Sequence, residues 1–76
     1  MMKYAVIIES GPRNYSAYVS DLPGCVSTGH TIEETRRNIR DAITFHLRGM
    51  ADDGDPIPEP TSVADNVEVP YPTLVA

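Results

Sequence analysis

The chain lacks tryptophan and contains a single cysteine, Cys25. A lone cysteine excludes a disulfide within the chain. The two histidines, His30 and His46, are 16 residues apart in sequence and do not form a local metal-binding motif with Cys25. No apolar stretch approaches the roughly 20 residues needed to cross a bilayer, and the N-terminus enters a strand pattern at once, without the features of a secretory signal. We therefore expect a cytoplasmic protein with no cofactor, no metal and no membrane segment.

Basic residues are scarce relative to acidic ones. Six lysines and arginines stand against eleven acidic residues, which gives a net charge of -5 over 76 residues. This balance argues against a domain whose main task is to grip a phosphate backbone, whereas a basic protein partner would be attracted. A chain of this length has room for one domain and hides only about 60% of its unfolded surface on folding, so a lone monomer is expected to be marginally stable.

The first half of the chain predicts three antiparallel strands. Residues 3–9 are rich in aromatic and β-branched residues, with both faces apolar. Alternation follows over 15–20 after a loop with Gly and Pro, which is typical of a hairpin. Pro23 then presets φ and Gly24 can adopt the positive φ of a type II turn. Residues 25–28 are therefore expected to return as a third strand.

A long helix is predicted next. Thr31 and Glu34 have capping-box spacing, in which the Thr31 hydroxyl accepts from the Glu34 N–H and the Glu34 carboxylate reaches back to the Thr31 N–H. Gly54 suits the residue after a helix end and Pro56 prevents continuation, so the helix is expected over residues 32–52. With a rotation of about 100° per residue, the helix has one mainly apolar stripe, which is expected to pack on the sheet. The stripe consists of Ile32, Ile39, Ala42, Ile43, His46, Leu47 and Met50.

The last part of the chain alternates proline with other residues and then becomes apolar. Residues 56–60 favour an extended crossing over the surface rather than a helix. Residues 66–69 have the pattern of a short strand, and 71–76 predict an edge strand or a partner-bound tail. The element order predicts an α+β domain with a three- to four-stranded, mainly antiparallel sheet in β-β-β-α-β order and one long helix packed on one face.

One helix cannot cover both faces of a sheet. Ala5, Ile7, Tyr18 and Cys25 are expected on or near the face opposite the helix, which should then bury itself against another chain. Phe45 is the only phenylalanine and lies about 140° from the middle of the helix's apolar stripe. It is either a singly exposed apolar residue or part of that interface. We expect a homo-oligomer, most simply a homodimer.

Cys25, His30 and His46 invite a catalytic interpretation as nucleophile and base. Cys25, however, follows directly on a Pro-Gly turn, where a small buried thiol packs well, and no basic neighbour lowers its pKa. His46 flanks the apolar stripe and His30 precedes the helix cap, so hydrogen-bonding roles suffice for both. Carboxylates do not converge for metal-dependent cleavage, since the strands carry only Glu9. The residues predict no catalytic site and no enzyme.

Four blocks in a fixed order carry a resemblance to a known family. They are the opening strand Lys3–Glu9, the run Tyr-Ser-Ala-Tyr-Val-Ser-Asp-Leu-Pro-Gly-Cys at residues 15–25, the Gly-His-Thr helix start at 29–31, and Asp-Gly-Asp-Pro-Ile-Pro-Glu-Pro at 53–60. Over roughly residues 3–62 the chain resembles the HicB-type antitoxins. The resemblance implies a partial ribonuclease-H-like fold and an antitoxin that binds a small basic, mRNA-cleaving HicA-type toxin and covers its active site.

The resemblance also sets an expected domain layout. We assign residues 1–62 to a HicB-like domain and 63–76 to a C-terminal strand or tail. Many members of the family carry a C-terminal DNA-binding segment, but the residues after Pro60 are too few for a recognition helix with its support. No direct DNA binding is therefore expected.

The contact with the toxin is expected to combine aromatic anchors with acids, because large rigid side chains dominate interface energies and the toxin is basic. The candidate partner-binding residues are Tyr15, Tyr18, Phe45, Asp53, Asp55 and Glu59. Structural roles at turns and helix ends are expected for Pro23, Gly24, Thr31, Glu34 and Gly54. The alternative function is a stand-alone oligomeric structural or ligand-binding module of the same fold without a toxin partner.

Overall fold

The computed structural model describes residues 1–73. It contains the strands β1 (Val6–Ser10), β2 (Tyr15–Val19) and β3 (Val26–Gly29) and the helix α1 (Ile32–Asp52). The strands form one antiparallel sheet in the order β1-β2-β3, and α1 packs on β3 and β2. This confirms the predicted α+β class, with one long helix on one face of the sheet.

The predicted fourth strand does not form within the described chain, since residues 66–69 have no regular secondary structure. A strand needs a neighbour for its backbone N–H and C=O groups, and among residues 1–73 the sheet consists of β1, β2 and β3 alone. The edge strand or tail predicted at residues 71–76 falls partly outside the described residues.

The turn between β2 and β3 has the predicted geometry. Gly24 has a φ of 83°, and the Cys25 N–H donates to the Leu22 carbonyl at 3.1 Å. A positive φ at the third position, after a proline at the second, is the type II arrangement. The turn therefore reverses the chain within four residues and lets β3 pair with β2.

Both ends of α1 are capped by short-range hydrogen bonds. The Glu34 N–H donates to the Thr31 hydroxyl at 3.0 Å, as predicted, but the Glu34 carboxylate accepts from the His30 N–H at 3.3 Å rather than from Thr31. At the other end Gly54 has a φ of 73°, and the Asp55 N–H donates to the Met50 carbonyl at 2.9 Å. These contacts form a Schellman motif, which satisfies carbonyls that the helix cannot bond itself.

The core lies between the sheet and α1. Its fully buried apolar residues are Ala17, Val19, Leu22, Cys25 and Ile39, and the partly buried side chains against it are Tyr4, Val6, Ile8, Ala42, Ile43 and Leu47. Thr35 is completely buried, and its hydroxyl donates to the Thr31 carbonyl at 2.7 Å.

Two expectations about the core were wrong. Cys25 was expected on or near the outer face, yet it is 4% exposed in the core. Val26 is paired with Tyr18 on the outer face, and successive side chains of an extended segment point to opposite faces, so Cys25 must point inward. Ile32 remains 48% exposed, because it lies at the first helical position, a turn before Thr35 reaches the sheet.

Candidate partner-binding surface

A row of apolar side chains crosses the outer face of the sheet. Ile7 is paired with Tyr18, and Tyr18 with Val26, so the three side chains lie on one face, opposite α1. They are 37%, 43% and 64% exposed, respectively. A solvated face of an antiparallel sheet ordinarily carries polar residues, so an apolar row there indicates a contact surface.

The row continues around the edge of β3 to the helix. Val26 and Phe45 line the same shallow pocket of about 390 Å³, together with Cys25, His46 and Met50. Phe45 itself is 79% exposed. Ile7, Tyr18, Val26 and Phe45 thus form one continuous exposed surface, which we call the apolar strip.

Acidic side chains surround the Phe45 end of the apolar strip. Asp53 lines the pocket that Val26 and Phe45 share. Asp41 and Asp52 are exposed, and at about 100° per residue they lie within roughly 40° of Phe45 around the helix. Arg48 lies about 60° from Phe45 around the helix, so the three acids outnumber it at this end of the apolar strip.

A second surface lies on the other side of α1, where the helix leaves β1 uncovered. Here a groove of about 840 Å³ has a largely apolar floor that includes Val6, Ile8 and Leu47. Its helix side carries three arginines and one acid, Arg36, Arg37, Arg40 and Glu33. We call this the arginine groove. The two flanks of α1 therefore have opposite electrostatic character.

The structure brings together half of the predicted partner-binding residues. Tyr18, Phe45 and Asp53 belong to the apolar strip and its acidic end. Tyr15 is half-buried and lies on the helix-facing side of the sheet, because it shares that side with Ala17 in alternation. Asp55 and Glu59 lie in the extended segment that follows α1, so these six residues do not form one patch.

The extended segment is held by a residue that the sequence analysis missed. Asp21 accepts hydrogen bonds from the backbone N–H groups of Thr61 and Ser62, both at 2.9 Å, and from both hydroxyls, at 3.1 and 3.0 Å. The backbone donor of Ser62 is the largest cause that lowers the pKa of Asp21. The Asp21 carboxylate is an acceptor, and Thr61 and Ser62 are donors, so the two groups are complementary. The pairing was not predicted because about 40 residues separate them in sequence.

A further contact fixes the same segment at Tyr4, whose hydroxyl donates to the Pro58 carbonyl. Burial, and then the negative charges of Glu59 and Asp21, raise the pKa of the Tyr4 hydroxyl. The hydroxyl therefore remains a donor at neutral pH. Residues 58–62 are thus tied to the start of β1 and to the end of β2.

The single thiol of the chain, Cys25, is buried in the core. Burial raises the pKa of the Cys25 thiol, which keeps it protonated and a poor nucleophile. Among residues 1–73 no three metal-ligating side chains cluster, and no helix there is long and apolar enough to span a bilayer.

Comparison with known proteins places these features in a family. The profile described as the HicB-like antitoxin of bacterial toxin-antitoxin systems matches residues 4–72. The chain is 36% identical over 66 residues to a UPF0150 protein of Helicobacter pylori, which covers 86% of this chain and 92% of that protein. It is 35% identical over 69 residues to a 14.9 kDa protein from the rep-hol intergenic region of Haemophilus phage HP1, covering 91% of this chain and 52% of the phage protein. The chain therefore spans about half the length of that relative.

A solved structure is also similar. A chain of the HicA3 and HicB3 toxin-antitoxin complex matches with a TM-score of 0.69 and 25% sequence identity, over 79% of this chain and 70% of that chain. The sheet and long helix described above are thus an arrangement that also occurs in a toxin-antitoxin complex.

Proposed function

Because this chain belongs to the HicB-like antitoxin family, we propose that it is an antitoxin that binds a small basic HicA-type toxin and blocks its cleavage of mRNA. The chain acts by binding and not by catalysis. Two observations support the proposal beyond family membership: the similarity to a chain of a toxin-antitoxin complex and the net charge of -5. An acidic protein attracts a basic partner over distances of about a Debye length.

The apolar strip is the surface on which we place the toxin. The choice rests on the exposure of Phe45. Its side chain is 79% exposed, although large aromatic side chains usually pack in the core. A ring on the surface, next to Val26 and the acidic side chain of Asp53, combines the two properties that a basic partner requires. Aromatic anchors supply binding energy at the centre of an interface, and charges at its rim speed the encounter.

The arginine groove is less suitable for the same partner. Arg36, Arg37 and Arg40 line its helix side, and like charges brought together at an interface cost binding energy. We therefore place the toxin on the acidic flank of α1, which carries Phe45, and not on the flank of the arginine groove. Inhibition follows from occlusion, because a toxin whose active site is covered cannot admit an RNA strand.

Purification of the tagged chain at low salt, with mass spectrometry of what co-elutes, tests the proposal. We expect a small basic protein that cleaves RNA when it is alone and no longer cleaves RNA when this chain is added back.

A pair of variants tests the contact surface. Phe45→Ala should weaken inhibition by about tenfold or more, as loss of an anchor does. Ile32→Ala should not weaken it, since Ile32 is also exposed but lies outside the apolar strip.

Two results would count against the proposal in different ways. Recovery of the self-associated chain alone, from cells that express its operon, would favour the stand-alone oligomeric module. Equal inhibition by the Phe45→Ala and Ile32→Ala variants would retain the antitoxin but move its contact away from the apolar strip.

A further inference from the structure

Residues 63–73 extend from the domain after the contact with Asp21 and expose their apolar side chains. Val63, Val67, Val69 and Tyr71 are 90%, 79%, 76% and 91% exposed. Single exposed apolar residues are ordinary, but a run of them on an extended segment indicates a surface that is covered in use. The alternation of Val67, Val69 and Tyr71 is that of a strand with one apolar face.

Within the described part of the chain, β1 pairs with β2 alone, so its other edge is free for such a strand. The Ser20 N–H donates to the Ala5 carbonyl at 3.1 Å, and bonded pairs alternate along an antiparallel ladder. Ile7 and Glu9 therefore bond to β2, whereas the backbone groups of Val6 and Ile8 point to the free edge. An open edge with unpaired N–H and C=O groups is a template for another strand.

The side chains beside this edge fit the same segment. Val6 and Ile8 form part of the floor of the arginine groove. Residues 55–73 include four acids, Asp55, Glu59, Asp65 and Glu68, and no basic residue. With Val67, Val69 and Tyr71 over the groove, the strand would place apolar side chains on an apolar floor. Asp65 has the same alternation and would lie on the side of the arginines, whereas Glu68 would face away.

The prolines of the segment determine its direction. In antiparallel pairing, opposite residues share a face and exchange backbone hydrogen bonds. If Val67, Val69 and Tyr71 face the groove, as Val6 and Ile8 do, their N–H groups point to β1 and the nitrogens of Pro70 and Pro72 point away, where a proline is tolerated. Parallel pairing with the same side chains in the groove would require Pro70 to donate a hydrogen bond.

The chain cannot reach this position on its own β1. Ser62 is held beside Ser20 and Asp21, and Ser20 is bonded to Ala5 at the start of β1. An antiparallel strand would first have to travel to the far end of β1 and reverse. Residues 63–66 span at most about 14 Å when extended, which is about the length of β1 itself and leaves no residue for the reversal. The strand must therefore come from another molecule.

We propose that residues 67–71 add as an antiparallel strand to β1 of a second copy of this chain, with Val67, Val69 and Tyr71 in the arginine groove of that copy. A two-fold axis makes the exchange reciprocal, so the product is a dimer with a four-stranded sheet in each half. The exchange uses the flank of α1 opposite the apolar strip, so it leaves the proposed toxin contact free.

Sedimentation of the unmodified chain and of two proline variants tests the exchange. We expect the unmodified chain to be a dimer and Val69→Pro to weaken the dimer by about tenfold or more, because it removes one strand-to-strand hydrogen bond and an apolar side chain. Asn66→Pro is the matched control: it lies just before the proposed strand, its nitrogen would point away from β1, and its dimer constant should stay within about twofold. Both positions are exposed, so neither change disturbs the domain.

A third variant examines the groove itself. Arg40→Glu should also weaken the dimer, since it puts a negative charge in the groove, on the side where Asp65 of the second copy would lie. The proposal is wrong if the unmodified chain is a monomer at every concentration, if the two proline variants dimerise equally well, or if Phe45→Ala dissociates a dimer that Val69→Pro leaves intact. Toxin inhibition is not the readout, so failure of the exchange would not affect the proposed antitoxin role.

Discussion

At the scale of single residues, Gly29 determines how closely the end of β3 approaches the helix. A Cβ atom added there would lie 2.5 Å from the Thr35 hydroxyl oxygen and 2.7 Å from the Thr35 backbone nitrogen. The backbone of the first helical turn cannot retreat without disturbing Thr35, which is fully buried. Position 29 therefore requires glycine because a side chain has no room there, and not because the backbone adopts a positive φ.

We therefore expect Gly29→Ala to lower the free energy of unfolding by about 1–3 kcal/mol, the usual cost of overpacking. Gly49→Ala is the matched control, because nothing lies within 4 Å of an added Cβ and alanine is favoured over glycine inside a helix by about 0.5–1 kcal/mol. Urea unfolding of both variants measures the difference. Equal stability of the two would contradict the close packing of β3 on α1.

Several single residues were predictable because their signals are local. Gly24 and Gly54 have the positive φ that a turn after proline and a helix end call for. The position of Cys25 was not predictable from the turn alone, since it depends on which face Val26 takes in pairing with β2. Asp21 was missed because its partners are distant in sequence.

At the scale of elements, the contact of Asp21 with residues 61–62 joins the C-terminal segment to the sheet. Hydrogen bonds that stabilise the charged form of a carboxylate lower its pKa, and the pKa of Asp21 is lowered mainly by Ser62. The folded pKa thus lies below the unfolded value. The stabilisation is complete above the unfolded pKa and is lost as pH falls through the folded one.

We predict that the segment stays bound above the unfolded pKa of aspartate, about 3.9, and is released only as pH falls below it through the lowered pKa of Asp21. The chemical shifts of the Thr61 and Ser62 amides, followed by NMR during an acid titration, measure the release directly. Asp21→Ala should show released shifts already at neutral pH, whereas Glu68→Gln should titrate like the unmodified chain. Amide shifts that do not change with pH would contradict this function of Asp21.

The elements themselves follow largely from the sequence. The bounds of α1 agree with the prediction over residues 32–52, because a cap at Thr31 and a glycine at position 54 mark its ends. The fourth strand was predicted from alternation at 66–69, but alternation supplies side-chain pattern and no partner for the backbone. Within the described residues this segment has no partner strand, and the proposed exchange with a second copy would supply one.

At the scale of the whole molecule, α1 separates two surfaces of different charge. Ile7, Tyr18 and Phe45 were expected at an interface from sequence, but their connection through Val26 was not, because it combines residues from strands and helix that meet only after folding. Exposure of Tyr18 and Phe45 was foreseeable from their position off the core pattern, whereas the arginine groove depends on α1 covering β3 and β2 and leaving β1 open.

The separation predicts how association responds to salt. If the acidic end of the apolar strip meets a basic toxin, the association rate constant should fall as ionic strength rises, since salt screens the attraction. The dissociation rate should change less, because it depends on buried apolar contacts. Stopped-flow measurement at several salt concentrations tests this. An association rate that is independent of salt would contradict electrostatic attraction at this surface.

The central claim is that this chain inhibits a toxin by covering it, and RNA cleavage by the purified partner is the measurement that tests it most directly. The partner is held at fixed concentration while the chain is added in increasing amounts, and intact RNA is quantified. We predict that cleavage falls to zero near molar equivalence. When the partner is diluted below the inhibition constant, the Phe45→Ala variant should show an inhibition constant about tenfold higher or more. Undiminished cleavage in the presence of excess folded chain would contradict the antitoxin function.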